Sequence, residues 1–256
     1  MHAEQKEAQT YQDKVIIVTG GGSGIGRTVA QQFAALGGSV LIAGRHADAL
    51  EQTIERSSAM ACIVADLSCE EEAIAVIEWA EALWGRIDVL VNNAATGALT
   101  PLETVTTEQL SSIFTLNVFA PIWLSKAALS ALTQSRGTIL NISSTYGHKA
   151  GAGMTYYAVS KAALEHWTRC LALELAPRGI RVNAIAPGPT ATGGLERVGL
   201  PAEVIEEIKR RDLAKIPLGR RGVPDEVADW IVALAAPSAS WITGQVLSVD
   251  GGMSLS

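Results

Sequence analysis

Cysteine is scarce in this chain: Cys62, Cys69 and Cys170 are the three present in 256 residues, and none sits in an obvious pairing or ligand motif. They read as small apolar fillers or solvent-side residues of a reducing compartment. An excess of positive charge is also missing. The net charge of −6 leaves no basic footprint for nucleic acid or an anionic membrane. No apolar run approaches the length of a membrane span, so no transmembrane helix is expected. Met1 to Asp13 is polar, with neither a basic start nor an apolar stretch, so no secretory signal is expected and residues 1–12 are assigned to a flexible tail. Pro/Ser linkers, shifts of composition and internal repeats are absent too, which leaves residues 13–256 as a single domain. No metal is expected. The absences together point to a cytoplasmic protein.

What is present can support a sizeable core, with 48% hydrophobic and 18% charged residues. β-branched runs fall near 14–19, 39–43, 60–64, 87–91, 136–142, 180–186 and 245–249. Helical patterns lie between them, near 24–36, 47–57, 69–84, 106–132, 155–176 and 224–236. Apolar strands alternating with helices predict an α/β fold: a doubly wound, Rossmann-like parallel sheet of seven strands with helices on both faces. Over 187–218 the pattern is broken by Pro187, Gly188, Pro189, Gly193, Gly194, Gly199 and Pro201. Aliphatic residues still punctuate that stretch, which suits a lid at about 189–216 over a ligand crevice, or else an ordinary long connection.

The most informative segment is Thr19-Gly20-Gly21-Gly22-Ser23-Gly24-Ile25-Gly26, between the run Val15–Val18 and a helical pattern. A strand that passes through a glycine turn into a helix is a phosphate-binding device. Glycine permits positive φ and close approach of a ligand, and the helix start presents unpaired N–H groups to an anion. The spacing is G-x-x-x-G-x-G rather than G-x-G-x-x-G.

Other residues carry proton chemistry. Tyr157 and Lys161 are four apart on a helical pattern, so they share a face. A nearby ammonium lowers a phenol's pKa and makes Tyr157 a candidate general acid/base. Tyr156 competes with it, but its partner four residues on is Ser160. Ser143 and Ser144 end the fifth strand, where a hydroxyl can orient a substrate carbonyl or simply form a turn. Asn92, Asn93 and Ala94 end the fourth strand in the same manner, and either asparagine can bond nearby backbone. Asn117 lies inside the pattern 106–132 as a buried polar link or a tolerated residue.

In this order, Thr19-Gly20-x-x-x-Gly24-x-Gly26, Asp66, Asn92-Asn93-Ala94, Asn117, Ser144, Tyr157/Lys161 and Pro187-Gly188 resemble the classical short-chain dehydrogenases/reductases over residues 13 to 252. The resemblance implies a nicotinamide cofactor on Gly20, Ser23, Gly24, Ile25 and Gly26, with Asp66 and Leu67 at the adenine. It places Asn92, Asn93 and Ala94 beside the riboses, and Pro187, Gly188, Thr190 and Thr192 at the carboxamide. It makes Asn117, Ser144, Tyr157 and Lys161 a catalytic tetrad. Tyr157 then exchanges the proton, Ser144 holds the substrate oxygen, and Lys161 binds the nicotinamide ribose and lowers the Tyr157 pKa. Asn117 fixes a helix kink and a water. One departure is Ala95, where the family usually has glycine. The Tyr-to-Lys spacing argues against alkene reduction, which divergent enoyl reductases carry out with a wider one.

The second strand ends in Gly44-Arg45, where an NAD-user places a carboxylate. Without that acid there is room for a 2′-phosphate, which Arg45 can grip, so NADP(H) is expected with NAD(H) possible. The expected activity is hydride transfer between nicotinamide and a ketone or secondary alcohol. An NAD-linked alcohol dehydrogenase is the alternative, and a dinucleotide-binding sensor or scaffold is a remote one. Candidate substrate walls are Thr96 to Leu99, Thr145, Tyr146, His148, Met154, Tyr156 and the lid, whose charges from Glu196 to Arg211 read as a solvated face. Trp123 and Trp167 either pack inside the subunit or, as the resemblance suggests, lie on helices that pair into a homotetramer or homodimer.

Overall fold

The computed structural model describes residues 10–55, 57–97, 101–193 and 201–256. Seven parallel strands form one sheet: β1 (Val15–Thr19), β2 (Ser39–Gly44), β3 (Met60–Val64), β4 (Val89–Asn92), β5 (Thr138–Ile142), β6 (Arg181–Pro187) and β7 (Val246–Val249). Their spatial order is β3-β2-β1-β4-β5-β6-β7. The chain therefore winds outward one way from β1 to β3 and returns to β4 on the other side of β1. The crevice beyond the carboxyl ends of β1 and β4 is where such sheets bind ligands.

Alternation along each strand builds a core on both faces. Ile16, Val18, Val40 and Ile42 face α1 (Gly24–Ala35) and α9 (Pro224–Ala235), against Phe33, Val29, Ile231 and Leu234. Ile17, Leu41 and Leu90 face the other way, against Val76 and Ile77 of α3 (Glu70–Trp84) and, further along, Leu124, Leu132 and Leu175. Helix α2 (Ala47–Ile54) joins β2 to β3.

The pattern 106–132 is not a single helix. It divides into α4 (Thr107–Phe114), a π-helical turn (Thr115–Phe119), α5 (Ala120–Ala127) and α6 (Leu129–Ser135). The cause is local: the Ala120 N–H reaches back five residues to the Thr115 carbonyl, and Pro121 has no N–H to give to the Asn117 carbonyl. The longest helix is α7 (Thr155–Leu175). The broken stretch after β6 contains a helix of its own, α8 (Ala202–Leu213), whose Glu206–Lys209 and Glu207–Arg210 pairs lie on the exposed face expected of its charges. The remaining lid residues, 194–200, lie outside the described residues, as do Ala98 and Leu99.

The expected tail boundary at residue 12 falls inside the fold. Tyr11 is 2% exposed, stands edge-on to Phe33 and donates its hydroxyl hydrogen to the Val232 carbonyl at 2.5 Å. Its ring fills the layer between α1 and α9, which a polar composition did not reveal. Residues 1–9 lie outside the described ones. No single helix among the described residues is long and apolar enough to cross a membrane.

Candidate functional site

The glycine turn is shaped by contacts from β4. Gly20 and Gly24 have φ of +67° and +52°, so an L side chain would be strained at either. A Cβ on Gly26 would lie 2.4 Å from the Gly20 carbonyl and 2.5 Å from Asn93 Nδ2, so no side chain fits there. Asn93 Nδ2 donates to the carbonyls of Thr19 at 2.8 Å and Gly20 at 3.4 Å. Thr19 Oγ1 answers by accepting the backbone N–H groups of Asn93 and Ala94, at 2.9 and 3.0 Å. Ser23 precedes α1 in extended conformation without capping it, which leaves the first helical N–H groups turned to the crevice.

From this turn a cleft runs along the sheet edge. Its walls include Gly20, Ser23, Gly24, Ile25, Gly26, Arg45, Asp66, Leu67, Asn93, Ala94 and Thr192, all named from the sequence. Gly44, His46, Leu116 and Ala95 also line it. His46, Ala49 and Leu50 had no motif to mark them; their signal was chain continuity with Arg45 and the start of α2. Asp66 accepts both the N–H and the hydroxyl of Ser68, at 3.0 and 2.7 Å, and those bonds hold its carboxyl below the usual range, helped by Arg45. A Cβ on Gly24 would meet Thr192 Cβ at 2.9 Å, so the segment after β6 closes over the turn. Pro187 ends β6, Gly188 packs against Asp250, and Thr190 Oγ1 donates to the Gly188 carbonyl at 2.9 Å.

Asn92 and Asn93 divide the work of their position. Consecutive residues at a strand end point to opposite sides, so while Asn93 clamps the turn, Asn92 turns inward and donates to Asn141 Oδ1 at 2.8 Å. Asn141 in turn donates to Thr168 Oγ1 of α7 at 2.9 Å. The buried Oδ1 of Asn92 has no hydrogen-bond partner among the described residues.

Past Ala95, which lines the cleft, Thr96 leads to the predicted tetrad through Asn117. Asn117, in the π-helical turn, accepts the Thr96 N–H at 2.9 Å and donates to the Thr96 carbonyl at 2.9 Å and to Ser160 Oγ at 3.0 Å. It thereby fastens the segment after β4 to α7 from within the π-helical turn. Ser144, two residues past β5, accepts the Tyr146 N–H at 3.2 Å and lies near enough to act on the Tyr157 phenol, and Gly97 lies against that ring so closely that a Cβ would be 3.0 Å from it. Lys161 Nζ donates to the Ile142 carbonyl at 2.7 Å and lies 5.8 Å from the Tyr157 ring centroid.

Burial dominates the protonation of both groups. It pushes the Tyr157 phenol above its usual value, with Tyr146 acting the same way and the Ser144 hydrogen bond opposing. It pulls Lys161 down to about 7, against the raising influence of Glu165. Desolvation is thus the largest influence on both partners, opposed at the phenol by Ser144 and at the lysine by Glu165. His148 is not free to serve a substrate. Its Nδ1 is 3.1 Å from Glu165 Oε1 and its Nε2 is 3.2 Å from Ser248 Oγ. Trp123 is part-buried beside Phe119, with ring centroids 6.2 Å apart.

The comparisons with known proteins agree with this architecture. A family model described as enoyl-(acyl carrier protein) reductase matches residues 20–254. The chain is 36% identical to the 7alpha-hydroxysteroid dehydrogenase of Escherichia coli K12, over 93% of this chain and 93% of the relative. It is also 36% identical to a probable 2,4-dienoyl-CoA reductase of Bacillus subtilis, over 93% of this chain and 96% of the relative. A crystal structure of a short-chain dehydrogenase/reductase from Caenorhabditis elegans, solved with cofactor, superposes with a TM-score of 0.87 at 36% identity, covering 96% of this chain and 97% of that one. Sheet order, glycine turn and sequence similarity thus lead to one conclusion: the chain belongs to the classical short-chain dehydrogenase/reductase family.

Proposed function

We propose that this protein is an NADP(H)-dependent oxidoreductase that interconverts a ketone and a secondary alcohol, with Tyr157 as general acid/base. The observation that carries the reading is the proximity of Ser144 and Lys161 to Tyr157, on the same sheet that carries the glycine-walled cleft. The family uses a nicotinamide dinucleotide, and the residues present fit one: the backbone at Gly20, Gly24 and Gly26 leaves no space for side chains and faces the start of α1. When bound, that group supplies or accepts the hydride.

The chain's own residues do the rest. Gly20, Ser23, Gly24, Ile25 and Gly26 hold the pyrophosphate, Asp66 and Leu67 the adenine, and Asn93 and Ala94 the ribose side of the cleft. Pro187, Gly188, Thr190 and Thr192 orient the carboxamide. Tyr157 gives its phenolic proton to the developing alkoxide oxygen in reduction, while Ser144 donates a hydrogen bond to the same oxygen. Lys161 holds the ribose hydroxyls and restores charge balance beside the phenol. Asn117 keeps the Thr96 segment against α7 so that these groups share one wall.

Arg45 at the end of β2 carries the NADP(H) preference, because Gly44 offers no carboxylate to the ribose hydroxyls and leaves space beside the guanidinium. Arg45→Ala is expected to lower the NADPH-over-NADH affinity ratio about tenfold, the scale of a charged hydrogen bond. An unchanged ratio would return the protein to the NAD-linked alternative. Thr192, in the described part of the expected lid, closes against Gly24 at the cleft, which supports a lid role for that part of the segment. Phe119, Val159 and Leu173 are exposed on the helices that flank the tetrad, which supports a homotetramer or homodimer.

The deciding experiment is a titration of the protein with NADPH and NADH followed by a panel of ketones. Tyr157→Phe is expected to reduce kcat by about 10²–10⁴-fold while NADPH still binds. Full turnover in that variant would remove Tyr157 from the role. An enoyl thioester belongs in the panel, because the family description and the Bacillus relative's name both refer to alkene reduction. Its reduction in preference to every ketone would overturn the carbonyl reading.

A further inference from the structure

A buried acid next to the tetrad has no part in the chemistry described so far. Glu165 lies one helical turn beyond Lys161 on α7 and is 2% exposed, so its carboxylate has been taken out of water. It accepts a hydrogen bond from Ser143 Oγ at 2.8 Å and lies 3.1 Å from His148 Nδ1. Arg169 Nη2 approaches its second oxygen at 3.9 Å. Ser143 Oγ also reaches the Lys161 carbonyl at 3.4 Å. Gly147 runs so near that a Cβ there would be 2.2 Å from Glu165 Oε1, so the loop after β5 is molded around the carboxylate. His148 extends the contact to Ser248 of β7.

These contacts join the two elements that must be in register for catalysis. Ser144 comes from the end of β5, whereas Tyr157 and Lys161 come from α7. We propose that Glu165 is a positioning residue of the site: its carboxylate ties the Ser143–Ser144 strand end to α7 and places a negative charge behind Lys161. A glutamate in a helix normally points to water. Keeping one buried is costly unless it is bonded and its charge opposed, and here both conditions are met by residues bordering the site. The charge also has a target, since burial discourages the Lys161 ammonium and Glu165 is the group that counters it.

The groups facing this pair are known from each packed element. Tyr157 and Arg169 lie on α7 itself, Tyr146 and His148 follow β5, and Asp250 follows β7 and reaches the cluster through Thr145 at 3.2 Å. The proposal rests on the Tyr157–Lys161 chemistry above, and its test is chosen to read the lysine without turnover. The protein is labelled with ¹³Cε lysine, the Lys161 signal is assigned with Lys161→Arg, and it is followed against pH in the wild type, Glu165→Gln and Ser143→Ala.

In Glu165→Gln, which keeps shape and one acceptor, the Lys161 midpoint is expected to fall by about one pH unit. In Ser143→Ala the carboxylate remains, so the midpoint stays near that of the wild type. Both variants are expected to lose kcat by roughly tenfold to a hundredfold with little change in KM for the cofactor, because the Ser144 end of the site drifts from α7. An unmoved midpoint in Glu165→Gln, or an unchanged kcat in Ser143→Ala, overturns the proposal. If Glu165→Gln does not fold, the Ser143→Ala kcat decides it. A protein that turns over no ketone would refute the catalytic reading, yet the midpoint shift would still report on Glu165.

Discussion

The two ends of the sheet are built on opposite plans. At the amino end, Asp88 stands just before β4 and is almost fully enclosed, but each of its oxygens is engaged. Lys14 Nζ at 3.0 Å, Arg86 at 2.8 Å and the Val15 N–H at 3.0 Å all donate to it. Burial pushes that carboxyl up, but the Arg86, Val15 and Lys14 bonds outweigh it and hold the acid below its usual range. At the carboxyl end the polar groups are less comfortable. Gly20 and Gly24 sit at positive φ, Asn92 keeps an unpartnered oxygen, and Lys161 is buried with its pKa drawn down to about 7. One end spends its polar groups on stability, whereas the other holds them in arrangements that folding alone would not favour. Perturbed protonation and backbone strain gather where chemistry is done.

The sharpest way to test the contrast is Asp88→Ala. It leaves the buried Val15 N–H without a partner and removes hydrogen bonds to two cations, a cost of about 3 kcal/mol. Thermal unfolding is expected roughly 10 °C lower, while the NADPH affinity is unchanged. A comparable loss of affinity would mean that the two ends are coupled and the contrast is false.

Gly20→Ala is the counterpart at the other end. The added methyl meets Asn93 Nδ2 at 2.8 Å in a conformation that L-residues rarely adopt. The strain is worth about 1–2 kcal/mol, so the melting temperature is expected to move by a few degrees, whereas cofactor affinity falls by roughly tenfold or more as the pyrophosphate turn deforms. The smallest effect is on the pH dependence of stability. With its native pKa near 7 and the ordinary lysine value of 10.5, Lys161 binds fewer protons folded than unfolded between those limits. Stability therefore rises with pH across that window, and its contribution to the slope is at most about 1.4 kcal/mol per pH unit. Chemical denaturation from pH 7 to 10 in the wild type and Lys161→Met is expected to show a shallower rise in the variant. Parallel curves would mean that the lysine is not desolvated.

How much of this could be read from the chain follows the same division. The five inner strands were legible because each is an apolar run covered on both faces, and the glycine turn because its spacing has few other uses. The π-helical turn was legible only in part: the resemblance put a helix kink at Asn117, but the apolar pattern of 106–132 runs on through it, and its form was marked only by Pro121, four residues later. Tyr11 was hidden in a polar stretch, where a single aromatic anchor does not alter the composition. The roles of Asn92 and Asn93 could not be separated without the strand's direction. Glu165 resembled any helical glutamate, and its position one turn past Lys161 was its sole signal. Local pattern reports what is repeated along an element; these residues act between elements, and their meaning exists only after packing.

The clamp on the glycine turn has a consequence for the order in which the protein becomes competent. Thr19 and Asn93 are 74 residues apart, whereas other bonds on the turn are made nearer in the chain, by the Gly20 N–H to the Ala43 carbonyl and by Arg27 to the Gly22 carbonyl. Residues 20–26 therefore leave the ribosome long before the strand that gives them shape. The early fragment can pair β1 with β2 and hold part of the turn, but it lacks the Asn93 clamp until β4 has docked beside β1. A nucleotide added during synthesis would then stabilise the completed sheet without assisting its first half, and binding would report that the middle of the molecule has closed.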